Sequence, residues 1–71
     1  MIQTTQKEVL KKLASLCELS PAVRMGQLMA HLDFLAHDMF DHGLGDIEDD
    51  QLLQVLERHE AELAHRQSNV A

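Results

Sequence analysis

Apolar residues recur at helical spacing in three stretches of this chain. The first stretch spans about residues 5–19, and Thr5 and Glu8 near its start have the spacing of a capping box. Five apolar side chains share one side of this predicted helix: Val9, Leu10, Leu13, Leu16 and Cys17. Most of the charged side chains lie on the opposite side, which is the pattern of an amphipathic surface helix.

The second stretch is predicted as a helix over about residues 21–39, because Ser20 suits an N-cap and Pro21 suits the first helical position. Its main apolar stripe consists of Met25, Leu28, Leu32, Leu35, Ala36 and Met39. A second stripe, roughly opposite, consists of Val23, Ala30 and Phe34. A helix that is apolar on two sides is buried on two sides. We therefore expect it to lie between the other two helices or to face a second subunit as well.

The third stretch predicts a helix over about residues 47–66, with Leu52, Leu53, Leu56 and Leu63 on its apolar face. A loop over residues 41–46 precedes it, and its two glycines are expected to supply positive φ angles and to end the second helix. Three helices with short connections predict an all-α fold with a single domain over residues 1–71. The expected architecture is a three-helix bundle, built as a helical hairpin plus one helix.

Composition and charge narrow the function classes. The 71 residues are 45% hydrophobic but only 3% aromatic, which suits helices better than most β architectures. Twelve acidic residues against six basic ones give a net charge of −6, which argues against binding to nucleic acid or to an anionic membrane surface. No apolar run approaches the length of about 20 residues that spans a bilayer, and the first residues lack a signal-peptide core. A cytoplasmic protein is expected.

Histidine and aspartate residues around the loop raise the question of a metal site. His37 and Asp41 are four residues apart, as are Asp38 and His42. A divalent metal needs three or four converging ligands, which these pairs do not guarantee. The sequence therefore assigns no metal ligand and no cofactor. A metal- or small-ligand-binding protein using the His and Asp residues around the 37–46 loop is kept as the alternative function.

Catalysis has little support in the sequence. Cys17 lies on the apolar side of the first helix, and no Ser or Cys stands in a nucleophile motif. His59 falls in the middle of the third helix's apolar face, and we expect a core histidine with satisfied nitrogens. We assign no catalytic residue and do not expect an enzyme.

Two segments carry a family resemblance. Residues 21–28 read P-x-x-R-x-G-Q-L, and residues 48–53 read E-D-x-x-L-L. The chain resembles a group of short, uncharacterised bacterial helical proteins that share this pattern. The resemblance implies an all-helical bacterial protein and brings no activity with it.

Arg24 is the only Lys or Arg in the second predicted helix, and the acidic start of the third helix follows the loop. We expect Arg24, next to Gln27, to pair with Asp46, Glu48 or Asp49 and so to pin the loop. The alternative is that Arg24, Gln27 and His31 form a polar row that binds a ligand.

The second apolar stripe of the second helix is the basis for the function that the sequence predicts. Val23, Ala30 and Phe34 add surface that one neighbouring helix cannot cover together with the main stripe. A two-fold axis would bury this surface with one patch serving both subunits. The expected function is a small protein-interaction module that forms a homodimer through these residues or binds another protein.

Overall fold

Three α-helices make up nearly all of the chain. The computed structural model describes residues 3–68, without the side chains of residues 67 and 68. Helix α1 spans Thr4–Leu19, α2 spans Met25–Phe40 and α3 spans Asp49–Ser68, and a short 3₁₀ helix, Leu44–Asp46, precedes α3. Because α1 packs against α3 and α2 also contacts α3, the predicted all-α three-helix bundle is confirmed. Within residues 3–68, no helix combines the length and hydrophobicity of a membrane span.

Each α-helix begins with the same local hydrogen bond. A glutamine three residues into the helix accepts the backbone N–H of the residue that precedes the first turn. The pairs are Gln3 N–H to Gln6 Oε1 at 3.1 Å, Arg24 N–H to Gln27 Oε1 at 3.2 Å, and Glu48 N–H to Gln51 Oε1 at 2.9 Å. This is the returning bond of a capping box, and it fixes where each helix starts.

Two expectations about where the helices begin are wrong. The second helix begins at Met25 rather than Pro21, because Ser20 ends α1 instead of capping α2. The Ser20 N–H donates to the Leu16 carbonyl at 3.0 Å, and the Ser20 carbonyl accepts the Val23 N–H at 3.1 Å. The first helix begins at Thr4, so the predicted capping residue Thr5 lies inside it.

The loop after α2 also differs from expectation. Among residues 3–68 no glycine has a positive φ; Asp41 takes the left-handed conformation that ends α2, with φ of 61°. Asp33 holds the loop to α2, because its Oδ1 accepts the Leu44 N–H at 2.9 Å. A Cβ on Gly43 would lie 3.0 Å from that Oδ1 and 3.3 Å from His37 Nε2. Gly43 is therefore needed for close approach rather than for its φ.

The core lies between the facing stripes of the three helices. Its buried apolar side chains are Leu16, Leu28, Leu32, Leu35, Ala36, Val55 and Leu56. Leu10 and Met25, which the periodicity placed on core stripes, are 54% and 52% exposed. Each lies at the edge of its stripe, where the neighbouring helix does not reach it.

Two ion pairs link α3 to its neighbours. Lys12 Nζ lies 2.8 Å from Glu60 Oε1, and Arg58 lies 3.2 Å from Asp38 Oδ2. The hydrogen bond between Lys12 and Glu60 raises the pKa of Lys12 and lowers that of Glu60. These pairs connect α3 to both neighbours at the surface of the bundle, and the packing of the core decides which α3 side chains face α2.

Candidate functional site

One side of α2 is largely open to solvent, with Asp33 and His37 along one edge and Asp38 one turn beyond Phe34. Gln27, Ala30, His31 and Phe34 are spaced three or four residues apart, so they share this side, and Val23 lies in the turn before it. We call these five residues the α2 surface. Phe34 is 66% exposed and Val23 is 45% exposed. The predicted interface residues Val23, Ala30 and Phe34 are therefore all open to solvent in the single chain.

Gly26 lies one turn before Ala30 on α2. An added Cβ there would meet nothing within 4 Å in this chain. Glycine costs about 1 kcal/mol relative to alanine in a helix interior, and less is expected at Gly26, the second residue of α2. Packing within the described chain gives no reason for a glycine at this position, since neither the loop nor another helix approaches it.

A cavity of about 190 Å³ adjoins the α2 surface. Its lining residues are Ser20, Val23, Gln27, Leu28, His31, His59, Leu63 and Arg66. In the described part of the chain, three buried side-chain polar atoms lack a hydrogen-bond partner: Ser20 Oγ, His31 Nε2 and His59 Nδ1. All three belong to residues that line this one cavity. Most buried polar atoms in proteins are hydrogen-bonded, so their concentration here marks the cavity.

His59 is the most buried of these polar residues, at 6% exposure. Burial lowers its pKa from the usual 6.5, and the His31 ring, whose centroid lies 4.5 Å away, lowers it further. Its Nδ1 is 3.9 Å from Glu62 Oε2, too far for a hydrogen bond. A buried His59 was expected, but the expectation that its nitrogens are satisfied is wrong for Nδ1.

Glu62 completes a group of three potential ligands. His31, His59 and Glu62 can each offer one ligand atom, and the three atoms lie within 4.8 Å of one another. Glu62 Oε1 accepts a hydrogen bond from Arg58 Nε at 3.3 Å, which turns the carboxylate along α3. Sequence reasoning missed this group. The available signals were the i, i+3 spacing of His59 and Glu62 and the position of His31 beside the core stripe.

The predicted Arg24 pin is not formed. The Arg24 side chain is exposed, and within residues 3–68 it has no carboxylate oxygen within 4.0 Å. Asp46 and Glu48 are exposed as well, and Asp33 holds the loop in their place. Of the alternative ligand row, Gln27 and His31 line the cavity but Arg24 does not.

The His and Asp residues around the loop are not gathered into one site. Asp38 pairs with Arg58, and His37 lies 3.7 Å from Asp33. Asp41 and His42 are exposed at the end of α2. Among the residues with described side chains, the one group with metal-ligand spacing is His31, His59 and Glu62.

The chain was compared with protein-family models, with curated proteins and with solved structures. None of the three comparisons found a match.

Proposed function

We propose that this chain is a small interaction module that self-associates, and that a second copy covers the α2 surface. The observation that carries the proposal is Phe34. It is a large aromatic side chain, 66% exposed, with Ala30 one turn before it and Asp38 one turn after it on the same side of α2. Leaving such a side chain in water forgoes about 1.5–3 kcal/mol of burial free energy.

Charge favours a second copy as the occupant. The chain carries a net charge of −6, yet the α2 surface holds no carboxylate and no Lys or Arg. Two copies can therefore meet through these five residues, with the neighbouring Asp33 and Asp38 at the edge of the contact. A basic or acidic partner would find no complementary charge on this surface.

Shape favours the same occupant. Gly26, Ala30 and Phe34 follow one another at four-residue spacing. If two α2 helices cross antiparallel at Ala30, a two-fold axis places Phe34 of each copy over Gly26 of the other. The large side chain then fills the space that the missing Cβ leaves open. This arrangement gives Gly26 the packing role that it lacks within one chain.

The area of a stable interface sets how much of the chain's surface a second copy must cover. A stable interface buries about 800 Å² on each partner. That is roughly one sixth of the 5037 Å² that the chain exposes. The α2 surface and the adjoining wall of the cavity supply an apolar centre for such a patch.

Sedimentation velocity at rising micromolar concentration tests the proposal. We expect a mass that approaches twice the 8.0 kDa chain mass. Phe34→Asp places a carboxylate in the centre of the interface, so this variant is expected to remain monomeric.

Leu10→Asp is the matched control. Leu10 is 54% exposed, but it lies on α1, outside the α2 surface. This variant is expected to dimerise like the unmodified chain. A monomer at every concentration, or equal loss of dimer in both variants, would contradict the proposal.

A further inference from the structure

We propose that His31, His59 and Glu62 form a binding site for one divalent transition-metal ion, with Zn²⁺ as the best chemical match. His31 comes from α2, and His59 and Glu62 come from successive turns of α3. The site therefore joins two helices across the cavity. Every ligand belongs to one chain, and because His31 is also part of the α2 surface, the proposed metal site adjoins the proposed dimer interface.

The unsatisfied nitrogens point to a ligand. His31 Nε2 and His59 Nδ1 are buried and have no hydrogen-bond partner, and His59 is more than nine-tenths buried. Leaving one such group unpaired costs about 1–3 kcal/mol. A metal ion would accept a lone pair from each ring and so satisfy both groups at once.

The ligand set selects the kind of metal. Two imidazoles and one carboxylate suit Zn²⁺ and its transition-metal neighbours, whereas Mg²⁺ and Ca²⁺ prefer sites made of oxygen alone. Histidine must be neutral to bind a metal. Burial and the His31 ring lower the pKa of His59, while Glu62 acts in the opposite direction.

The geometry needs only side-chain adjustment. At zinc bond lengths of about 2.0–2.1 Å, tetrahedral ligand atoms lie about 3.4 Å apart. The three potential ligand atoms now lie within 4.8 Å, so they must close by about an ångström. Arg58 already holds Glu62 Oε1, which leaves Oε2 for the metal. The cavity supplies room for water at the fourth position.

Titration with Co²⁺ and Zn²⁺ tests the site. Co²⁺ reports its coordination through visible absorption, and we expect a tetrahedral spectrum that saturates at one ion per chain and is displaced by Zn²⁺. Zn²⁺ should also raise the midpoint of thermal unfolding, because the assembled site exists only in the folded chain. Mg²⁺ should do neither.

Three variants locate the site: His31→Gln, His59→Gln and Glu62→Gln. Each is expected to weaken Co²⁺ binding by more than about 100-fold, beyond the effect of losing an outer-shell partner. His59→Gln removes a buried group, so the half-buried His31 and Glu62 keep the test informative if that variant does not fold.

His37→Gln and His42→Gln are the matched controls, because both histidines are exposed near the end of α2 and neither belongs to the proposed site. They should bind Co²⁺ like the unmodified chain. An octahedral spectrum, no saturation at one ion, or equal weakening by His37→Gln and His31→Gln would overturn the site.

Discussion

At the scale of single residues, the candidate site depends on three side chains whose proximity only the fold reveals. The sequence placed His59 correctly on a buried face and His31 beside the core stripe. It could not bring them together, because their distance depends on the register of α2 against α3. That register depends on how the core side chains of the two helices pack against each other. The spacing of residues along the chain does not show this register.

Gly43 gives a residue-scale prediction. Gly43→Ala should lower the free energy of unfolding by about 1–3 kcal/mol, because the new methyl group would press on Asp33 and His37. Gly45→Ala is the matched control, since a Cβ there meets nothing within 4 Å. Urea unfolding of both variants measures the difference. Equal stability of the two would show that the close approach at Gly43 carries no cost.

His59 gives a prediction about pH. Its folded pKa lies below the unfolded value of about 6.5, so the unfolded chain binds the extra proton more readily. The free energy of unfolding should therefore fall as pH drops from about 7.5 through 6.5 toward the folded pKa, by at most about 1.4 kcal/mol per pH unit from this residue. Urea unfolding in the presence of a metal chelator, at several pH values, measures the slope.

His59→Leu tests the source of that slope. The variant should lose the His59 share of the pH dependence and keep a flatter profile above pH 5.5. His42→Gln changes an exposed histidine and should keep the original profile. An unchanged slope in His59→Leu would assign the pH dependence to other groups.

At the scale of elements, hydrophobic periodicity predicted all three helices, because each helix must bury one side. The helix starts were harder to predict. Ser20 and Pro21 form a good start signal in isolation, but the N–H of Arg24 is already bonded to Gln27, and Ser20 is used to end α1. Competing local hydrogen bonds decided the boundary, and the apolar pattern does not encode which one prevails.

Gly26→Ala separates helix stability from association. In a dilute, monomeric sample it should raise the free energy of unfolding by less than about 1 kcal/mol, because alanine is the better helix former, Gly26 lies in the first turn of α2, and the new methyl group meets nothing in the chain. In the dimer the same methyl group would lie under Phe34 of the other copy. The dissociation constant should therefore rise by at least about fivefold.

Thermal unfolding and sedimentation equilibrium measure the two effects of Gly26→Ala separately. Gly45→Ala adds a methyl group away from α2 and should leave the dissociation constant unchanged. If Gly26→Ala stabilised the monomer and left association unchanged, helix crossing at Gly26 would be excluded.

At the scale of the whole molecule, charged side chains are distributed unevenly over the surface of the bundle. The ion pairs bind α3 to α1 and to α2, and the loop and the start of α3 hold a dense group of acidic residues. The five residues of the α2 surface are uncharged and display Phe34, and Asp38 follows one turn later. The sequence anticipated a second apolar stripe on α2, but only the fold shows that Phe34 stays open to solvent while His31 meets α3.

The most direct test of self-association is an isotope-filtered nuclear Overhauser experiment on a mixture of ¹³C-labelled and unlabelled chain at millimolar concentration. If two copies associate through the α2 surface, cross-peaks are expected from the Phe34 ring of one copy to the Gly26 and Ala30 protons of the other. Cross-peaks from Phe34 confined to its own copy, with none between copies, would contradict this association.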